Sequence, residues 1–279
     1  MKRRLKYCML VLLCAIFLLP IILTIVSSIK SNQELEMTLA PILKDEKGYA
    51  SLIFLPVYPT LIHYIRLLFF APAFYVTFYN SIKFVIWILL GQFVIAVPSA
   101  WAFSHFQFRG KNGLFFLYVM LMIFPFQVTM LSQYLVLHAL NLLNTHLAII
   151  LPGIFSTFPV FLCFRGFEQI PEEMFEAARM DGASELKQFF YIGIPLGKNG
   201  ILSCMILNFL EYWNLCEQPL AFLKDKALWP LSIYLPEIGM ENAGLAFSAA
   251  TIVMIPSAFV FISGQQYLEA GIVASAVKE

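Results

Sequence analysis

The chain has 279 residues, of which 60% are hydrophobic and 13% charged, with a net charge of +1 and a mean hydropathy of +0.80. A soluble domain carries about a quarter charged residues, so this composition excludes an ordinary water-soluble fold and reads as an integral membrane protein. The near-neutral charge gives no case for nucleic-acid binding. The 5 cysteines (Cys8, Cys14, Cys163, Cys204 and Cys216) lie in apolar runs without a CxxC pair, which fits packing residues and suggests neither a metal site nor a disulfide frame.

At the N-terminus, Lys2, Arg3, Arg4 and Lys6 precede an apolar run over residues 7–29, long enough to span a bilayer. Residues 25–30 make a poor cleavage site, so an uncleaved first span is expected. Residues 30–75 are mixed. Glu34, Glu36, Lys44, Asp45, Glu46 and Lys47 mark a water-exposed stretch, and residues 63–66 predict a short interfacial helix. Further spans are expected at residues 76–103, 114–137, 145–166, 198–222 and 244–266, giving an all-α membrane protein of about six helices. Pro98 predicts a kink in the second.

Positive charge sets the orientation. Arg109 and Lys111 follow the second span, and Arg165, Arg179, Lys187 and Lys198 surround the segment between spans four and five. The positive-inside rule places those segments and both termini, with Lys278, in the cytoplasm. Loops 30–75, 138–144 and 223–243 fall outside, although Lys44, Lys47, Arg66, Lys224 and Lys226 run against the rule there. The chain divides into residues 1–75 (first span and outer loop), 76–268 (five-span core) and 269–279 (cytoplasmic tail).

The segment between spans four and five is polar and patterned. Pro171, Glu172 and Glu173 suit a helix start. Ala177 and Ala178 favour helix without bulk, and Asp181-Gly182 reads as its stop. A second helical run over residues 183–191 is expected to end at Ile194-Pro195. Two short helices with a glycine bend cannot cross a bilayer, so they should lie at the membrane face against something soluble.

Polar residues inside spans are candidates for a transport path, because they avoid lipid. They are Gln92, Gln127, Asn208, Glu211 and Asn214. Glu211, Trp213 and Asn214 combine hydrogen-bonding groups with aromatic surface, as a small-molecule site requires. The competing readings are an interfacial tryptophan beside a helix-end acid and glutamines that join helices. No GxxxxGK[ST] loop and no HExxH pair occurs, the histidines fall in loops or span ends, and no catalytic or metal residue is assigned.

The run Glu176-Ala177-Ala178, with Asp181-Gly182 and then Ile192 to Leu196, resembles the EAA loop of permeases of binding-protein-dependent ABC importers. Asn80-Ser81-Ile82, residues 108–111, residues 170–173, Trp213-Asn214 and Ala276-Val277-Lys278 are similar to the carbohydrate-importer branch of the maltose-system type, with a MetI-like transmembrane fold. The resemblance implies a permease subunit in a bacterial cytoplasmic membrane, importing a carbohydrate or related polyol by alternating access. It also implies a second permease subunit, two ATPase subunits and an extracytoplasmic solute-binding protein. ATP and magnesium would be held by the ATPase chains, with no cofactor on this one. Glu176, Ala177, Ala178, Asp181 and Gly182 would dock an ATPase. Asn208, Glu211, Trp213 and Asn214 would border the path. A stand-alone secondary carrier or an integral membrane enzyme is the alternative; Glu211 keeps the carrier open, but neither explains the EAA run.

Overall fold

The computed structural model describes residues 2–43, 55–237 and 242–276. Lys44 to Lys47 of the outer loop and Val277 to Glu279 of the tail lie outside the described residues.

The described chain is helical, with one isolated bridge between Lys30 and Pro59. In order the helices are α1 (Lys2–Ser28), α2 (Asn32–Leu43), α3 (Ile62–Phe70), α4 (Pro72–His105), α5 (Lys111–Ile123), α6 (Phe126–Ala139) and α7 (Leu147–Ile154). They continue as α8 (Phe158–Phe167), α9 (Glu172–Met180), α10 (Glu185–Gln188), α11 (Ile194–Trp213), α12 (Glu217–Phe222), α13 (Leu231–Glu237) and α14 (Ala243–Ala276). Among the described residues, five stretches are long and apolar enough to cross a membrane: Lys6–Ser28, Pro72–His105, Leu147–Phe167, Glu185–Trp213 and Ala243–Glu269. A sixth exists if α5 and α6 count as one broken span.

Three expectations about the helices need correction. Residues 114–137 are not one straight helix: α5 and α6 meet at 105°. Pro125 lacks an N–H, and it holds Phe124 extended at ψ 123°. Ile194-Pro195 does not end the helix before it. Phe189–Gly193 forms a π-turn, and the Ile194 N–H reaches the Phe189 carbonyl five residues back. The wider turn brings Pro195 into the helix, so Glu185–Trp213 runs as one span. Residues 198–222 are also not one helix, since α11 stops at Trp213 and Glu217–Phe222 is separate. Glu211 therefore lies at a helix end and not in mid-span. The helix assignment of α4, by contrast, is unbroken through Pro98.

Two compact units are distinguished. The first comprises Met1–Val76 and Ile233–Ile255. None of an 18-residue apolar stretch of α1 is buried, as suits a lipid-facing helix. From the end of α1 onward, polar groups pair with partners within this unit. Ser28 Oγ and Tyr64 OH share a 2.6 Å hydrogen bond, and Ser248 Oγ donates to the Ser28 carbonyl. His63 Nε2 is bonded to the Lys30 carbonyl at 3.0 Å. Glu34, expected in water, is buried: its carboxylate accepts the Val57 and Tyr58 N–H groups and pairs with Lys30 at 3.9 Å. A buried carboxylate needs such partners. The predicted interfacial helix is α3, which buries His63 and Leu67 and exposes Phe69 and Phe70.

The second unit comprises Thr77–Ser232 and Pro256–Glu279. Its core gathers Val97, Trp101, Phe167, Phe189, Ile201 and Cys204 from α4, α8, the π-turn and α11. Helices α8 and α11 meet at Gly166 and Gly200, where a Cβ on either would fall within 2.8 Å of the other's Cα. Small residues permit this approach, as in membrane helix pairs generally. At the other end, Asn80 Nδ2 donates to the Ala227 and Trp229 carbonyls, and Ser81 Oγ accepts the Leu231 N–H. Asn144 Oδ1 accepts the Lys224 and Asp225 N–H groups. The Asn80-Ser81 pair thus holds the connection before α13.

Candidate functional site

The EAA run is α9 and the turn after it. Pro171 stands before the helix in an extended conformation, with Glu172 and Glu173 in its first turn. Gly182 ends it at φ 76°. Its N–H bonds to the Arg179 carbonyl, and the Ala183 N–H to that of Ala178. This pair of bonds is a Schellman cap, which needs the left-handed residue that glycine supplies without strain. Ser184 then caps α10, its Oγ accepting the Lys187 N–H.

Of the nine residues of α9, Phe175 is the buried one. Its ring stands edge-on to Trp101 at 5.3 Å and to His105 at 4.8 Å. Trp101 also contacts Phe167 and Phe189, and Gly193 lies against its ring. Phe175 is therefore a plug in a socket built by α4, α8 and the π-turn, and burying it contributes about 1.5–3 kcal/mol. His105 ends α4, stacked on Trp101 at 4.5 Å, and its Nε2–H donates to Glu185 Oε2 at 3.1 Å. The His105–Glu185 bond ties the segment after the turn to the end of α4.

The other face of α9 is open. Glu176 and Ala177 are exposed, Ala178 is half-buried, and Asp181 and Gly182 are exposed. Arg179 pairs with Glu172 at 2.9 Å. Met180 is 89% and Leu186 71% exposed, so charged and apolar groups adjoin there. The arrangement is a helix anchored by one side chain, with its remaining surface presented outward.

A second feature of this unit is a cavity of about 460 Å³. The bend at Phe124 supplies one wall, Thr129 and Gln133 of α6 another, and Ser156 and Thr157 sit in the break between α7 and α8. Glu211, Tyr212 and Gln218 complete its polar lining. Of the path candidates, Glu211 lines the cavity. Asn208 is buried, donating to the Cys204 carbonyl and accepting from Gln92 Nε2 at 3.4 Å. Gln92 Nε2 also donates to the Gly153 carbonyl, which takes the Tyr212 hydroxyl as well. These groups stitch α4, α7 and α11 together. Trp213 is buried against Phe78 and Phe209. Asn214 is exposed and donates to the Leu210 carbonyl. Gln127 donates to the Glu217 carboxylate at 2.8 Å.

Sequence reasoning missed Phe175, Trp101, His105 and Glu185 in the socket, and Gln133 and Gln218 in the cavity. Phe175 had a signal: it is the lone aromatic residue in the polar stretch 172–180.

Residues 92–273 match the family described as binding-protein-dependent transport system inner membrane component. The chain belongs to this family. It is a multi-pass membrane protein and a permease subunit of an ABC importer, not an enzyme. It is similar to the arabinooligosaccharides transport system permease protein AraQ of Halalkalibacterium halodurans, with 29% identity over 82% of this chain and 83% of the relative. It is also similar to the sn-glycerol-3-phosphate transport system permease protein UgpE of Pectobacterium atrosepticum, with 26% identity over 70% and 72%. A chain of a bacterial ABC transporter that imports the acidic polysaccharide alginate shares the fold, with a TM-score of 0.81 and 23% identity over 95% of this chain and 96% of that one. A chain from such a transporter in complex with an alginate pentasaccharide-bound periplasmic protein matches at a TM-score of 0.61 and 13% identity.

Proposed function

We propose that this permease carries a carbohydrate or related polyol, and that α9 is its coupling helix to a separate ATPase. The observation that carries the second half is Phe175, seated in the Trp101 socket while Glu176, Ala177 and Met180 face outward. A force on the exposed face of α9 reaches α4 and α8 through that plug. Glu176 then meets a basic group of the ATPase, Ala177 and Ala178 admit close approach, and Asp181-Gly182 sets the turn. The carbohydrate assignment is supported by the AraQ relative and by an aromatic, hydroxyl- and amide-lined cavity of sugar dimensions.

The complex contains a second permease subunit, two ATPase subunits that hold ATP and magnesium, and an extracytoplasmic solute-binding protein. It lies in a bacterial cytoplasmic membrane with both termini and α9 inside. Closure of the ATPase pair draws α9 with it, the spans rearrange, and the path opens outward to receive solute from the binding protein. Each change is driven by differential affinity of the states for nucleotide and for loaded binding protein.

The test is a mild-detergent purification of the tagged chain from its native host, with co-purifying chains identified by mass spectrometry, followed by uptake in proteoliposomes. An ATPase, a second multispan chain and ATP-dependent uptake of an oligosaccharide are expected. Uptake by this chain alone, without ATP, would overturn the reading and turn attention to Glu211 as a carrier residue.

A further inference from the structure

Among the described residues, the cavity beside Glu211 holds an acid and unpaired acceptors but no cationic side chain. Glu211 presents a carboxylate to it. Gln133 Oε1 and Gln218 Oε1 are buried there without a hydrogen-bond partner among the described residues. The amide of Gln133 is oriented by its neighbours. The Thr129 hydroxyl donates to the Phe126 carbonyl, so it offers Gln133 a lone pair, and Gln133 Nε2 donates to it at 3.3 Å. That leaves the Gln133 carbonyl oxygen unpaired. Buried acceptors without donors are costly, and they favour a ligand that brings donors. No Lys or Arg stands among the described residues that line the cavity.

We infer that this cavity is a subsite for a neutral, hydroxyl-rich solute whose O–H groups donate to Glu211, Gln133 and Gln218, and that Glu211 turns away anionic sugars and phosphorylated polyols. The inference rests on the carbohydrate reading above and narrows it. It separates this chain from two of its likenesses, since sn-glycerol 3-phosphate and alginate are anionic, and sides with the uncharged arabinooligosaccharides. A carboxylate on the cavity wall repels a second anion brought beside it. Selectivity by repulsion needs no additional contact with the favoured solute.

The experiment uses the whole importer with its own binding protein in proteoliposomes. The probes are a neutral oligosaccharide and the same oligosaccharide oxidised at its reducing end to the aldonate, which adds one carboxylate. Rates are normalised to the fraction of binding protein loaded with each. Wild type should carry the neutral sugar several-fold faster than the aldonate. Glu211→Gln should bring the two rates close together, and Glu211→Lys should favour the aldonate. Gln133→Leu should slow the neutral sugar without changing the preference. Equal wild-type rates, or a preference that Glu211→Gln leaves unmoved, would overturn the inference while the carbohydrate reading stands. Carriage of neither sugar by an assembled, ATP-hydrolysing complex would overturn both.

Discussion

Phe175 is the buried residue of α9, so the proposed coupling rests on it most directly. Truncating a core phenylalanine to alanine costs about 3–5 kcal/mol, and Phe175 is 3% exposed. Phe175→Ala is therefore expected to leave the chain in the membrane but release α9 from its socket. ATPase co-purification should fall sharply and transport should be lost; a variant with normal yield and uptake would show that the plug is not the link. The His105–Glu185 bond is a different kind of contact. Glu185 is half exposed, so the pair contributes only about 0.2–1 kcal/mol to stability, and what it adds is a directional tie between α10 and the end of α4. His105→Phe keeps the stacked ring and removes the bond. Transport per ATP hydrolysed should drop several-fold with assembly intact, and Glu185→Leu added to it should bring little more, since both remove one contact. Additive losses would mean that the two residues act separately. At Gly182, φ 76° costs a β-branched residue about 1–2 kcal/mol, whereas asparagine tolerates it. Coupling should fail in Gly182→Val and survive in Gly182→Asn, as read by ATPase co-purification and uptake.

Among the elements, what could be read from sequence was local. The stop at Asp181-Gly182 and the helix around residues 63–66 each follow from neighbours within a few residues, and each is where it was expected. What could not be read was set by partners far along the chain. Glu34 looked like a solvated acid because the N–H groups it binds belong to Val57 and Tyr58. Residues 114–137 kept the composition of a single span, and Pro125 alone does not reveal a 105° turn. The π-turn before Pro195 was hidden because proline signals a break unless the turn before it widens. The glycine pair of α8 and α11 is non-local too, and it yields an element-scale prediction. A side chain at Gly200 meets the Gly166 backbone, which cannot move aside, and overpacking of this kind costs about 1–3 kcal/mol or more. Gly200→Leu should push the two helices apart and abolish accumulation of the chain in the membrane. Gly113→Ala, with nothing within 4 Å of the added carbon, should accumulate as wild type. Equal levels of the two variants would contradict the close α8–α11 contact.

For the molecule as a whole, orientation and coupling are one claim. The segment 172–193 can meet an ATPase only from the cytoplasm, and the positive-inside rule predicts the same side for the loop before Lys111. The connection that Asn80 and Ser81 hold, residues 223–231, must then face outward. Gln107 and Ala227 are exposed on these two stretches and uncharged, so cysteine at either leaves the orienting charges untouched. Cys163 and Cys204 are fully buried and will not react; Cys8, Cys14 and Cys216 are replaced by alanine. In intact cells a membrane-impermeant maleimide should label Ala227→Cys, and it should reach Gln107→Cys only after permeabilisation. The reverse pattern would place α9 outside, out of reach of any ATPase, and would overturn both the topology and the coupling role of Glu176 in one measurement.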